Sequence, residues 1–444
     1  MASKDFMIPF MRGFVNEDYV EIDRNLSLLE DSCPINKRIR EIRNENNWEN
    51  KISMVIGERI NSLINTYECT DDIQSLFFDF TQTFVETAQF LSQEKYALAL
   101  DKYVDCFKDF ARLYKILSRN YRSDWLFQIF DRFYSNLRKI AIKADDQERK
   151  RGNNKEHLEV ILDALSSNRQ EMNRLKTGDT LDHKIKLLIL IEVHADAINY
   201  RLSNFKTVKD GIYNVATLIQ SNNFDLFSLT KSLHVRLCYN WGKIALLTGR
   251  IPVAVQRLEE ALLLASKKHD AGNIRLMLRY LAIAKVLNGQ KIKKKLMDTY
   301  NLSKYYQLIE KIANGDLQGY YWETHFRYLK WMKAGLTLLF DSFRFVIYRN
   351  ILKKLHSVYK FPEIPFSIIK KSFELNKKAP WHPEYSEDEI QAILSNMIVH
   401  GYIKGSISIN DQLVSLSRVN PFPKLVNVNI EIQKNVDKSL GQTL

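Results

Sequence analysis

Arg349, Lys353, His356 and Lys360 fall at i, i+4, i+7 and i+11, a spacing that places them along one helical face. Such a stripe is either an ordinary solvated face or a contact for phosphate, and the spacing alone leaves both open. Lys291, Lys293, Lys294 and Lys295 form a second basic cluster in a turn just after Gly289. Lysines in a turn can meet phosphates, which give affinity without base choice. Catalysis has little to stand on. The nine histidines occur singly, with no HxxxH or HExxH pair for a metal. No P-loop, dinucleotide fingerprint or GxSxG elbow occurs. His234 and Cys238 sit at i, i+4 and share a helical face; the expected reading is a packed core pair, not a base with its nucleophile. No enzymatic activity, cofactor or metal is expected.

The elements that must position these residues follow from periodicity. The stripe lies on a long predicted helix, Leu336 to Tyr359, whose neighbouring face carries Tyr348, Leu352, Leu355 and Tyr359 for packing. Phe361-Pro362 and Ile364-Pro365 stop it. Further on, Ser386 and Glu389 make a capping box. Ile390, Ile393, Leu394, Met397 and Ile398 then repeat with helical spacing, and Gly401 stands where a left-handed residue would end the helix. Ile407 and Ile409 alternate with Ser408, and Val414 and Leu416 with Ser415. Asn410 and Asp411 supply the turn between them. A capped helix running into a small hairpin is the second half of a winged helix. Its helix opens with Glu387, Asp388 and Glu389 and has no Lys or Arg through Val399. Those carboxylates suit the helix macrodipole but would repel phosphate. The winged helix is therefore expected to meet protein, with Ile390, Met397, Tyr402, Ile407 and Ile409 as candidate partner-binding residues.

The whole chain of 444 residues is 45% hydrophobic, enough for packed cores, and carries a formal charge of +13. That excess predicts acidic partners such as nucleic acid. Fifteen glycines and nine prolines are few for this length, which favours long helices. Cys33, Cys69, Cys106 and Cys238 lack metal or redox spacing, so reduced thiols are expected. No signal peptide or membrane span is expected. Arg38 to Glu49 reads as a charge-compensated helix; Ile60, Leu63 and Ile64 share a helical face; Phe77, Phe78, Phe80, Phe84 and Phe90 read as core. Asp145 to Lys155 has no apolar residue and reads as a linker. From Lys186 the helices pair as hairpins. Tyr239, Gly242, Ala245, Gly249, Ala254 and Ala261 approximate tetratricopeptide spacing. Phe340, Phe343, Phe345, Ile347 and Phe366 exceed what one face can bury, so some are expected to meet a partner. β structure is expected only in the last sixth of the chain, and Val428 to Val436 reads as amphipathic.

Leu296-Met297-Asp298-Thr299-Tyr300-Asn301-Leu302, Ala313-Asn314-Gly315-Asp316-Leu317, Tyr348-Arg349-Asn350 and Asn420-Pro421-Phe422-Pro423 add detail to this order of helical hairpins, long helix and winged helix. Together they resemble the PCI module, in the branch holding the fungal COP9 signalosome subunit 12 and the PCI subunit of the nuclear mRNA-export complex, the former the closer. The resemblance spans about Lys186 to Pro423. It implies an all-α, right-handed solenoid of TPR-like hairpins ending in a winged helix with a small hairpin. The expected divisions are a helical N-terminal region at 1–165, hairpins at 166–340, the winged-helix part at 341–424 and a tail at 425–444. It further implies a non-enzymatic scaffold of a nuclear complex in mRNA biogenesis, with a signalosome adaptor as the alternative. Implied partners are a second PCI subunit, a small acidic disordered subunit and RNA or DNA, with no membrane. The expected location is the nucleus, with the cytoplasm as a second compartment.

Overall fold

The computed structural model describes residues 19–26, 28, 71–120, 126–153, 156–174, 181–265, 271–375 and 383–428. The Arg38–Glu49 helix, the Ile60/Leu63/Ile64 face, Cys33, Cys69 and the amphipathic segment past Val428 lie outside them. The chain divides into two compact units, residues 1–229 and 230–444.

The first unit is built from α1 (Tyr19–Leu26), α2 (Asp71–Ser92), α3 (Tyr96–Asn120), α4 (Phe127–Lys150), α5 (His157–Arg174), α6 (Leu181–Arg201) and α7 (Phe205–Ser221). From α2 onward successive helices pack on one another, as their short connections require, and α1 packs on α4. Phe80, Phe84, Phe110 and Phe133 interlock at its centre, with the Phe110 and Phe133 rings 4.8 Å apart. The phenylalanine run is thus core, with Phe78 and Phe90 half-buried. Helix α4 continues through Lys150, and Asp145 and Glu148 are buried. The expected linker therefore shrinks to the few residues before α5. Polarity alone misled here: Asp145 is buried and accepts the His157 backbone N–H at 2.6 Å, which satisfies a free donor at the start of α5.

The second unit opens with the hairpin α8 (Lys231–Leu247) and α9 (Ile251–Leu264), followed by α10 (Ala271–Leu287), α11 (Lys294–Thr299), α12 (Ser303–Ala313), α13 (Leu317–Phe326) and α14 (Tyr328–Lys333). At the α8–α9 crossing a Cβ on Gly242 would stand 2.6 Å from Leu258 Cγ, so only glycine permits this approach. A 3₁₀ turn at Leu336–Leu339 leads into α15 (Phe340–Tyr359). The winged helix is completed by β1 (Glu363–Pro365), α16 (Phe366–Phe373), α17 (Glu387–Val399), β2 (Gly405–Ser408) and β3 (Leu413–Leu416). The sheet is antiparallel in the order β1-β3-β2, with Ile364 and Ile407 both opposite Val414. The architecture is a helical solenoid with a C-terminal winged helix. One strand corrects the expectation: β1 precedes the last sixth of the chain. Its Pro365 is tolerated because β1 lies on an edge.

The capping box is present. Ser386 Oγ accepts from Glu389 N–H at 3.1 Å, and Glu389 Oε2 from Ser386 N–H at 2.8 Å. Gly401 ends α17 at φ +78°, with Tyr402 N–H donating to Met397 O at 2.8 Å.

Candidate partner and nucleic-acid interface

Tyr348, Arg349 and Asn350 face three different neighbours from one turn of α15. Tyr348 is buried; its ring stacks on Phe373 at 4.6 Å, and its hydroxyl lies 3.1 Å from that of Tyr385. Asn350 Nδ2 donates to Ile312 O and Ala313 O at 3.1 and 3.2 Å, and Lys354 Nζ to Asn314 O at 2.7 Å. These donors satisfy the carbonyls at the end of α12, where helical partners run out. Next in chain, Gly315 turns at φ +62° and Asp316 caps α13 by accepting Gly319 N–H at 2.8 Å. Lys311 donates to the other Asp316 oxygen at 2.8 Å. Burial works against the Asp316 carboxylate, but the Lys311 and Gly319 hydrogen bonds outweigh it and lower its pKa. The Ala313–Leu317 and Tyr348–Asn350 motifs are thus two halves of one joint.

Arg349 is a correction. Only 7% exposed, it donates from Nη2 to Pro423 O at 2.7 Å and Phe422 O at 3.3 Å. The Phe422 ring lies 5.9 Å from its Cζ. It clasps the segment after β3 and cannot reach a phosphate. Burial pushes its pKa down. His356 packs against Phe422 at 5.8 Å. Of the predicted stripe, Lys353 and Lys360 remain exposed. Lys291, Lys293, Lys294 and Lys295 are all exposed around the start of α11.

The candidate partner residues divide in the same way. Ile390 and Met397 are fully buried and Tyr402 is 2% exposed, all within the unit's own core. Burying each contributes roughly 1.5–3 kcal/mol to folding, so these side chains are not available to a partner. Ile407 is half-buried against that core, and Ile409 is exposed. The surplus apolar residues also turn inward: Phe343, Ile347 and Phe366 are buried, and Phe340 and Phe345 pack on the core.

The exposed apolar residues lie elsewhere. Helices α13 and α14 present Trp322, Phe326, Tyr328, Leu329 and Met332, between 46 and 65% exposed. The Trp322 and Phe326 rings are 4.2 Å apart. Sequence reasoning missed them because helical periodicity does not show that the chain forms two helices here, Leu317–Phe326 and Tyr328–Lys333. The break at Arg327 changes which side faces inward. Trp322, Phe326 and Leu329 at i, i+4, i+7 were the available signal.

The His234–Cys238 pair is buried, and Glu260 joins it, all three ligand atoms lying within 4.8 Å. His234 Nε2 lies 3.0 Å from Glu260 Oε1, and Arg257 donates to Glu260 Oε2 at 2.9 Å. Burial pushes the Cys238 thiol up to about 12. A protonated thiol is a poor nucleophile and a poor ligand, and the Arg257 cation already occupies the carboxylate. The trio fits a core polar cluster better than a metal centre.

A family model described as the PCI domain matches residues 325–418. A PCI domain-containing protein 2 homolog of Dictyostelium discoideum is 24% identical over 80% of this chain and 81% of its own. Enhanced ethylene response protein 5 of Arabidopsis thaliana is 24% identical, covering 74% of this chain and 76% of that protein. A Protein CSN12 homolog of Schizosaccharomyces pombe is 30% identical over 46% of this chain and 48% of that protein.

Proposed function

We propose that the chain, a PCI-domain protein, works as a non-enzymatic scaffold subunit of a nuclear complex in mRNA biogenesis, holding partner subunits and RNA. The observation that carries the reading is a winged helix whose acidic helix opening disfavours phosphate, set on a solenoid with exposed basic residues. Glu387, Asp388 and Glu389 fill the first turn of α17, where a DNA-reading helix would offer Arg, Lys, Asn or Gln. The exposed apolar residues of α13 and α14 support protein contact, since monomers rarely keep large apolar patches uncovered. The net charge of +13 and exposed Lys291, Lys293, Lys294, Lys295, Lys353 and Lys360 support contact with a polyanion. A second PCI subunit and a small acidic subunit belong to the same proposal.

A second reading, an adaptor of the COP9 signalosome, is favoured by the similarity to the CSN12 homolog. Affinity purification from native nuclear extract separates the two. Splicing, elongation or export factors in the eluate support the first reading; signalosome subunits without them refute it and support the second.

A further inference from the structure

Four helices of the second unit contribute to one ladder of cations and aromatic rings. Lys243 Nζ of α8 lies 5.4 Å from the centre of the Tyr280 ring on α10. The Arg279 guanidinium lies 4.9 Å from Tyr280 and 5.9 Å from Tyr305 of α12. Lys330 Nζ of α14 lies 4.5 Å from both Tyr305 and Trp331. Arg279 and Lys330 are half-buried, and neither forms an ion pair with a described carboxylate. Arg279 Nε is buried with no hydrogen-bond partner among the described residues. The nearby Glu323 carboxylate is held by Arg327 at 2.5 Å. The ladder ends beside an open groove of about 380 Å³ lined by Lys231, Arg236, Tyr239, Leu276 and Met277 among others. Tyr239, at the junction, packs edge-on against Tyr280 at 6.0 Å.

Arg279 and Lys330, partly desolvated and without an ion pair to a described carboxylate, repel one another, and an anion relieves that cost. We propose that the ladder from Arg279 to Lys330 seats a backbone phosphate of single-stranded RNA, with an adjacent base in the groove at Tyr239. This rests on the RNA reading above and places the contact on the solenoid. RNA suits the site better than an acidic peptide because cations alternate with rings, and the groove offers Leu276 and Met277 to a flat apolar face. Burial and neighbouring cations lower the pKa of Lys243 and Lys330 to about 8, and a bound phosphate would counter both shifts.

The test is fluorescence anisotropy of a labelled oligouridine on the full chain across a salt series. Lys330→Gln, Arg279→Gln and a Lys293/Lys294/Lys295→Gln variant are compared, with melting curves for each. Losing one phosphate contact should lower the log–log salt slope by about 0.7, or about fivefold in affinity per decade of salt below the molar range. Lys330→Gln is expected to do this with no fall in the melting midpoint, since it also removes a partly desolvated charge, and Lys330→Arg to restore binding. If both ladder variants bind as wild type while the triple variant loses binding, the location is wrong and the RNA reading stands. If the wild-type chain binds no oligouridine at low salt, both fall. A polyglutamate peptide that binds through Lys330 while RNA does not would also overturn the proposal.

Discussion

Arg349→Met tests whether this side chain is a structural clasp. The substitution keeps the aliphatic stem and removes the guanidinium. Its short bond to Pro423 O, 2.7 Å, is charge-assisted, a class that contributes about 1.5–3 kcal/mol. The 3.3 Å contact to Phe422 O adds about 0.5 kcal/mol. Against this, the variant no longer buries a cation whose Nε has no partner, which returns about 1 kcal/mol. The net expectation is a loss of about 2 kcal/mol. For a unit spanning residues 230–444 that lowers the melting midpoint by about 4–8 °C. Calorimetry measures it, and amide exchange should show faster exchange around residues 419–428. Oligouridine binding, measured below the new midpoint, should keep its salt slope. An unchanged midpoint with unchanged exchange would refute the clasp; a flattened slope at constant stability would return Arg349 to the phosphate stripe.

Three further outcomes are expected. Gly242→Ala gains about 1 kcal/mol of helix propensity but forces Leu258 aside, for a net loss of about 1–2 kcal/mol in urea unfolding. Cys238, with its thiol held near 12, should resist iodoacetamide at neutral pH in the folded chain and react on unfolding; rapid native labelling would contradict its burial. Lys330 faces Arg279, Lys304, Arg327 and Glu323, and its folded pKa of about 8 lies below the ordinary 10.5. The penalty for its charge is therefore fully present below pH 8 and fades as pH rises toward 10.5, so that part of stability increases with pH while oligouridine affinity falls from about pH 8 upward. Affinity constant to pH 10 would remove Lys330 from the contact.

The parts legible in the sequence are those determined within a few residues. The Ser386–Glu389 box, the Gly401 stop and the Ile407/Val414 pairing each follow from local chemistry, and all are present. What sequence could not decide is which side of an element meets the core. The 3.6-residue period correctly groups Arg349 with Lys353, yet α15 is packed around much of its girth, so one member of the stripe is buried and another exposed. The same limit applies to Ile390 and Met397: an apolar face looks alike whether its cover is a partner or its own sheet and helices. Strand β1 is too short to show alternation, and its register comes from pairing with β3, about fifty residues away. The ladder was invisible because its rungs lie on helices that meet only in the fold. Lys243, Arg279 and Lys330 belong to no common motif.

The segment after β3 carries one more implication. Arg349 holds it at residues 422 and 423, Lys404 N–H donates to Pro421 O at 2.9 Å, and Leu425 lies over Gly289, where a Cβ would come 3.3 Å from its own. These contacts join residues far apart along the chain, and long loops close slowly. During synthesis, α8 to α14 can pair as each emerges, but the end of α10 and one flank of α15 stay uncovered until residue 425 has left the ribosome. Gly289 and Arg349 therefore face water throughout translation of the winged helix. Ribosome-bound chains whose residues 421–428 are still inside the exit tunnel should be more open to protease around Arg349 than the released chain.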